Sequence, residues 1–450
     1  MIKLISSFSL YSFFTLAVAI LQCTNIAHAA GDESLVNADE TSRQIRQHFA
    51  RRDWAALDQM GSQLVRAYEK DPNQFAALRT FFYVLPNDKS PAGTLDGYNA
   101  WVARSPDSYA AVYARARYYT FSAMAARGGE FTKDVRPEQF KRMEEYFVLS
   151  RKDLVRSLKL STRPAMSYFQ LMRIARYSGT AKEVWQYYEK STLVDPDNLT
   201  LAEQYLQSLQ PRWGGDYESL QRFPDEARRR GLSATKTVTL RFKARWLAAQ
   251  DYVLYEEKKR AQQLLTTIAN DPANAEHNSS AIIELADLAK ADRDFETASN
   301  YYLQGLKRKP NDVRLLVGLA STVRALNRPQ EALALYDRAI AVAPDDIYAL
   351  SGRGWLNHQI LKNDKAALPD VLKAAQLGES TAQSIMGYYS WEGKVVRLNQ
   401  VEALYWWSQS AKQNNKVAQD SLTFAKEKLG SHYDEMLTAA NRMKRLKPLE

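Results

Sequence analysis

The sequence predicts an all-α fold, an α-solenoid of antiparallel helix pairs, and three observations carry that expectation. Between Ser279 and Asp346 a repeat is written twice: Leu285, Ala286, Ala298, Tyr302, Gly305 and Pro310 are answered 34 residues on by Leu319, Ala320, Ala332, Tyr336, Ala339 and Pro344. One helix pair cannot bury its apolar face alone, so a period of this length implies stacked neighbours sharing a continuous core. Proline punctuation recurs earlier, at Asp71-Pro72-Asn73, Pro106-Asp107, Asp195-Pro196-Asp197 and Asp271-Pro272. Proline lacks a donor and disfavours helix at the residue before it, so each of these separates helices. No stretch alternates with the two-residue period of a strand.

In chain order, the first 29 residues have the parts of a secretory leader: Lys3, an apolar run from Leu10 to Leu21, and the small-x-small site Ala27-His28-Ala29. The run is broken by Ser and Thr and falls short of the roughly 20 residues a span needs, so cleavage is expected, leaving no membrane span. The mature chain is then periplasmic or secreted. Cys23, the only cysteine, lies in this leader. That excludes disulfides, thiol nucleophiles and thiolate metal sites from the rest of the chain. The formal net charge of +10 favours anionic partners, either a protein or acidic peptide or an anionic envelope polymer. An exported chain is not expected to meet nucleic acid.

From Ser42 to Lys70 apolar residues at helical spacing (Ile45, Phe49, then Trp54, Leu57, Leu64, Val65, Tyr68) predict two helices breaking near Asp53. Gly97 to Arg127 reads as two helices divided at Ser105-Pro106-Asp107, with loops at Pro86 to Gly93 and from Gly128-Gly129 to Arg136-Pro137. Glu138 to Lys159 reads as a long helix burying Phe140, Tyr146, Phe147, Leu154, Val155 and Leu158. A pair follows, its first helix carrying Tyr168, Leu171 and Ala175 and its second Val184, Tyr188 and Ser191. Pro211 closes a helix, Gly214 and Gly215 free the backbone for a turn, and Asp216 caps a helix starting at Tyr217. Pro224 should end or kink that helix after Phe223. Trp213, at the apex of the turn, either folds back onto the helix ends as a plug or forms a stacking platform beside Arg212. From Ala367 the period becomes 36, with Ala367, Ala375, Gly378 and Ala382 recurring as Ala403, Ala411, Asn414 and Ala418. A last helix, Tyr433 to Leu446, caps the array, with Arg442, Lys444, Arg445 and Lys447 favourably placed near its C-terminus. The organisation expected is a leader (1–29), degenerate helical repeats (30–232), regular repeats (233–346) and 36-residue repeats with a capping helix (347–450).

Three resemblances sharpen this reading. Tyr98-x-x-Trp101-Val102 and the run Pro211-Arg212-Trp213-Gly214-Gly215-x-Tyr217 resemble an uncharacterised bacterial domain of unknown function over roughly residues 97–300, which implies no known reaction. The 34-residue repeats resemble tetratricopeptide repeats, with Ala298/Ala332 and Gly305/Ala339 where paired helices approach closely. Met386-Gly387, Gly393-Lys394-Val395-Val396, Asn399, Ala403, Trp406-Trp407 and Ala411 are similar to a Sel1-like repeat. Val395 and Asn414 stand where glycine is usual, which leaves the turn geometry open. The tetratricopeptide resemblance implies that the second, fifth, ninth and twelfth residues of each repeat face a groove: Ser280, Ile283, Asp287 and Lys290; Arg314, Val317, Ser321 and Arg324; Tyr348, Ser351, Trp355 and His358. The partner-binding candidates are therefore Lys290, Arg314, Arg324, Tyr348, Trp355 and His358, with Arg212 and Trp213 as a second site. Solvated charge on an unused face is the competing account. The Lys/Asn pattern by which some such domains clamp a terminal carboxylate is absent.

Chemistry is not expected. His48, His277, His358 and His432 lie far apart, none with a metal-ligand partner at i+3 or i+4. No Gly-x-Ser-x-Gly occurs, and neighbouring pairs such as Glu144-Glu145 and Glu256-Glu257 diverge by about 100° on a helix. The expectation is a non-enzymatic adaptor without metal or cofactor. The alternative, a glycan-binding or glycan-active protein, requires two of Glu138, Glu203, Asp216 and Glu218 to converge beside Trp213.

Overall fold

The computed structural model describes residues 40–87, 94–129, 134–272 and 278–443. The expected leader, most of the loop from Pro86 to Gly93, part of the turn after Gly129, His277, and the basic Lys444, Arg445 and Lys447 lie outside these residues. All regular structure among the described residues is helical, in antiparallel pairs stacked as a solenoid. None of these helices is long and apolar enough to cross a membrane. Two compact units divide between Glu257 and Lys258.

The N-terminal unit contains α1 (Glu40–Ala50), α2 (Trp54–Lys70), α3 (Phe75–Val84), α4 (Thr94–Arg104), α5 (Tyr109–Arg127), α6 (Pro137–Ser157), α7 (Ala165–Ser178), α8 (Ala181–Val194), α9 (Leu199–Ser208), α10 (Tyr217–Arg229) and α11 (Ala234–Leu254). Short polar side chains cap several of them, because each satisfies a backbone N–H that the first turn leaves unpaired. Asp53 accepts from the Ala56 amide, Ser108 from Ala111 and Asn198 from Leu201. Thr180 and Glu183 bond each other's backbone at the start of α8. Helix α5 is buried almost all round, with Ala110, Ala111, Ala114 and Ala116 small enough for its neighbours to approach.

Two sequence expectations are corrected here. Val155 is 50% exposed, and the buried line of α6 is Met143, Phe147, Ser150, Leu154 and Ser157. Polar residues sit in that line because they are bonded: Ser150 donates to the Ala116 carbonyl at 2.7 Å, and neighbouring Asp153 accepts from Arg115 at 2.7 and 2.8 Å. Pro224 does not end its helix, since α10 continues to Arg229. Leu220, Phe223, Pro224 and Ala227 form its buried stripe, and that burial offsets the hydrogen bond a proline removes.

The C-terminal unit contains α12 (Lys258–Asn270), α13 (Asn278–Ala291), α14 (Phe295–Arg308), α15 (Val313–Ala325), α16 (Pro329–Val342), α17 (Ile347–Trp355), α18 (Asp364–Gln376), α19 (Ser380–Glu392), α20 (Gln400–Ala411), α21 (Lys416–Leu429) and α22 (Tyr433–Arg442). The repeat is kept down to its caps. Asp312 accepts from the amides of Arg314 and Leu315, and Asp346, 34 residues on, accepts from those of Tyr348 and Ala349. Ala298, Ala332 and Ala339 are fully buried, and a Cβ on Gly305 would lie 2.8 Å from Leu315 Cδ1. Successive repeats meet through a tyrosine laid on a glycine: a Cβ on Gly318 would fall 2.3 Å from the Tyr302 ring, and one on Gly352 2.4 Å from the Tyr336 ring. In the 36-residue repeats Asn414 has φ +62° where Gly378 has +98°. Asparagine tolerates the left-handed region, so the turn survives the departure from glycine.

Candidate partner-binding site

The first helices of successive C-terminal pairs, α13, α15 and α17, form the row on which the candidate residues lie. Arg314 is exposed, with Nη2 3.6 Å from Asp312 and Nη1 3.5 Å from the Ser280 hydroxyl. Ser280 is its equivalent in the preceding repeat, so equivalent positions of adjacent helices are neighbours. By the same register Tyr348, 66% exposed, follows Arg314. The Arg324 guanidinium lies 4.3 Å over the Trp355 ring. Arg314, Arg324, Tyr348 and Trp355 are thus presented on one row.

Lys290 and His358 are engaged. Lys290 is half-buried and paired with Asp287 at 3.2 Å, so that end of the row is not simply cationic. Beside it burial, together with Asp287, pushes the Glu284 carboxyl up to about 7. His358 stands in a π-helical turn, Leu356–Ile360, with Nδ1 2.5 Å from Asp364. The Tyr389 hydroxyl donates to the same carboxylate at 3.1 Å, and Lys394 lies 3.5 Å from its other oxygen. Burial works against the charge on Asp364, but the hydrogen bonds from His358 and Tyr389 outweigh it and hold the carboxyl below its ordinary range. This cluster ties α17 to α18 and α19. Among the described residues no three His, Cys, Asp or Glu side chains gather as a metal site requires.

In the N-terminal unit Pro211–Trp213 form a single 3₁₀ turn. Gly214 has φ +84°, and a Cβ on Gly215 would collide with the Leu209 carbonyl at 2.2 Å, so both glycines are required. Trp213 is half-buried, its ring edge-to-face with Tyr177 at 4.9 Å and the Arg176 guanidinium 5.4 Å from its centre. Arg212 donates to Gln210 at 3.1 Å and lies 3.8 Å from buried Asp251. The indole is packed on one side and open on the other. Of the carboxylates that glycan chemistry needs, Asp216 caps α10 by accepting from Ser219 at 2.7 Å, and Glu218 pairs with Arg222 at 3.3 Å. Glu138 is exposed, Glu203 is half-buried with its carboxyl raised by burial, and no hydrogen bond joins any two of the four.

Sequence reading passed over Arg117, Arg173 and Arg176. Their signal was an arginine inside the alanine- and tyrosine-rich run of α5, and two arginines one turn apart on α7 followed by Tyr177.

Comparison with known proteins completes the picture. A family model described as tetratricopeptide repeat matches residues 283–347 and again 319–383. No curated protein matches the chain. Among solved structures, a Sel1 repeat protein from Oxalobacter formigenes is 14% identical with a TM-score of 0.38, over 76% of this chain and 92% of its own. Yeast Tom70 is 14% identical with a TM-score of 0.40, over 90% and 100%. The C-terminal part of a TPR repeat-containing protein from Cytophaga hutchinsonii is 12% identical with a TM-score of 0.34, over 56% and 98%. The chain is a helical-repeat protein whose residues 283–383 match the tetratricopeptide repeat model.

Proposed function

We propose that this protein is an exported, non-catalytic scaffold of the cell envelope, periplasmic or secreted, that docks an acidic peptide or the acidic surface of a protein on the row α13–α15–α17. The observation that carries this reading is the Arg324 guanidinium held over Trp355, with Arg314 and Tyr348 exposed on the same row. A guanidinium resting on an indole keeps its in-plane N–H groups free for a carboxylate, and the rings beside it offer apolar contact. Arginine and aromatic residues dominate binding hot spots for this reason. The tetratricopeptide match over the same helices supports a protein partner, since such repeats generally bind proteins. Export rests on Lys3, the apolar run and Ala27-His28-Ala29.

The test is capture from envelope extract with the exported form, followed by affinity measurement on the captured partner. Binding should weaken with salt, because exposed charges are screened over about 8–10 Å near physiological ionic strength. The folded Arg314→Glu/Arg324→Glu variant should lose it. Unaltered affinity in that variant would rule the row out, and an anionic polymer bound in place of a protein would redirect the assignment. N-terminal sequencing from the native host should begin near Ala30.

A further inference from the structure

The N-terminal unit carries a second basic row, on α5, α7 and the turn after α9. Arg117 is 3% exposed. Its guanidinium lies 4.4 Å from the Phe121 ring and 5.3 Å from that of Tyr83, Nη2 donates to the Tyr83 carbonyl at 3.4 Å, and Nη1 is buried without a partner. Arg173 approaches the same Phe121 ring at 5.6 Å. Arg176 lies 5.6 Å from Tyr177 and 5.4 Å from Trp213, donates to Gln207 at 2.8 Å, and leaves Nε buried and unpartnered. Arg212 follows at the turn.

Among the described residues Arg117, Arg173 and Arg176 form no ion pair, and Arg212 lies 3.8 Å from Asp251. Burial, with Arg173 and Arg212 adding repulsion, pushes Arg176 down to about 10. Arg117 is buried without a counter-ion, and Arg173, Arg176 and Arg212 extend its positive charge towards the surface with one carboxylate between them, an arrangement that stability does not explain.

Phe121, Tyr177 and Trp213 already carry guanidinium groups, so they are poorly placed to stack a sugar or a base.

We propose that this row is a second docking site, for an extended acidic peptide segment whose carboxylates are taken by Arg173, Arg176 and Arg212. Arg117, behind Phe121, raises the positive potential of the site. The assignment does not depend on the α13–α15–α17 row.

The experiment is fluorescence anisotropy of a fluorescein-labelled alternating glutamate–serine peptide on the full chain carrying Arg314→Glu/Arg324→Glu, which removes the C-terminal row from the measurement. Salt-sensitive binding should persist in that background and fall at least about tenfold when Arg173→Gln/Arg176→Gln is added. No binding in the background, or no loss on adding the pair, overturns the proposal; so does polyphosphate binding tightly where the peptide does not. Should the added pair fail to fold, Arg212→Gln, at the exposed turn, is expected to weaken the peptide several-fold, and unchanged affinity there overturns the proposal equally. Arg176→Met separates binding from structure. It should keep or raise Tm while weakening the peptide, and a clear fall in Tm would mark Arg176 as structural and overturn its role here.

Discussion

Replacing Gly318 by alanine sets two effects of opposite sign against each other. Gly318 lies inside α15, where alanine is better than glycine by about 0.8–1 kcal/mol on helix propensity alone. The structure places the new Cβ 2.3 Å from Tyr302 Cε1, 2.5 Å from Cζ and 2.8 Å from the hydroxyl. Non-bonded carbon atoms settle at about 3.5–4 Å, so the ring must retreat by more than an ångström. Tyr302 is 2% exposed and donates to Asp287 at 3.3 Å, which leaves it nowhere to go without moving α14 against α15. Overpacking of this kind costs about 1–3 kcal/mol, so packing should win and the variant should be less stable by roughly 1–2 kcal/mol. For a unit of this size that is a fall in Tm of about 2–8 °C. Thermal unfolding by circular dichroism reads it directly. Gly352→Ala, with its Cβ 2.4 Å from Tyr336, should behave alike. In a Tyr302→Leu background the penalty of Gly318→Ala should shrink, since the two residues are in contact and couple. A rise in Tm for Gly318→Ala, as bare propensity demands, would refute the tyrosine-on-glycine account of how the repeats meet.

Glu284 makes stability depend on pH. Its carboxyl is raised from 4.5 to about 7 in the folded chain by burial and by Asp287, so the folded state holds a proton that the unfolded state releases earlier. Stability from this group is full below the unfolded value and is lost as pH rises towards 7. Glu284→Gln should therefore raise stability by about 1–2 kcal/mol in mildly alkaline buffer and change little in acid, discounting for partial exposure. An equal effect at both pH values would show that the burial is misjudged. Trp213→Ala should cost about 2 kcal/mol, less than the 3–5 of a fully buried indole, because one side of the ring is open. Urea unfolding checks it, and a cost near zero would mean that the packing on Tyr177 contributes nothing.

The sequence by itself determined the solenoid, its register and its caps. Asp312 and Asp346 cap alike and Ala298 and Ala332 are buried alike, because each follows from a local preference repeated at a fixed spacing; the turn at Asn414, which the sequence left open, is closed in the structure like that of Gly378. The row of Arg314, Arg324, Tyr348 and Trp355 was legible for the same reason: in a regular array residues one repeat apart are neighbours. Only the tertiary structure could show that Lys290 is held by Asp287, or that His358 is tied to Asp364 and Tyr389 through a π-helical turn, since both depend on where helix ends meet. It alone assembled Tyr83, Arg117, Phe121, Arg173, Arg176 and Trp213, which share no period. In the degenerate N-terminal repeats no spacing says which positions become neighbours; the stacking of α5, α7 and the α9 turn decides that, and with it where positive charge gathers.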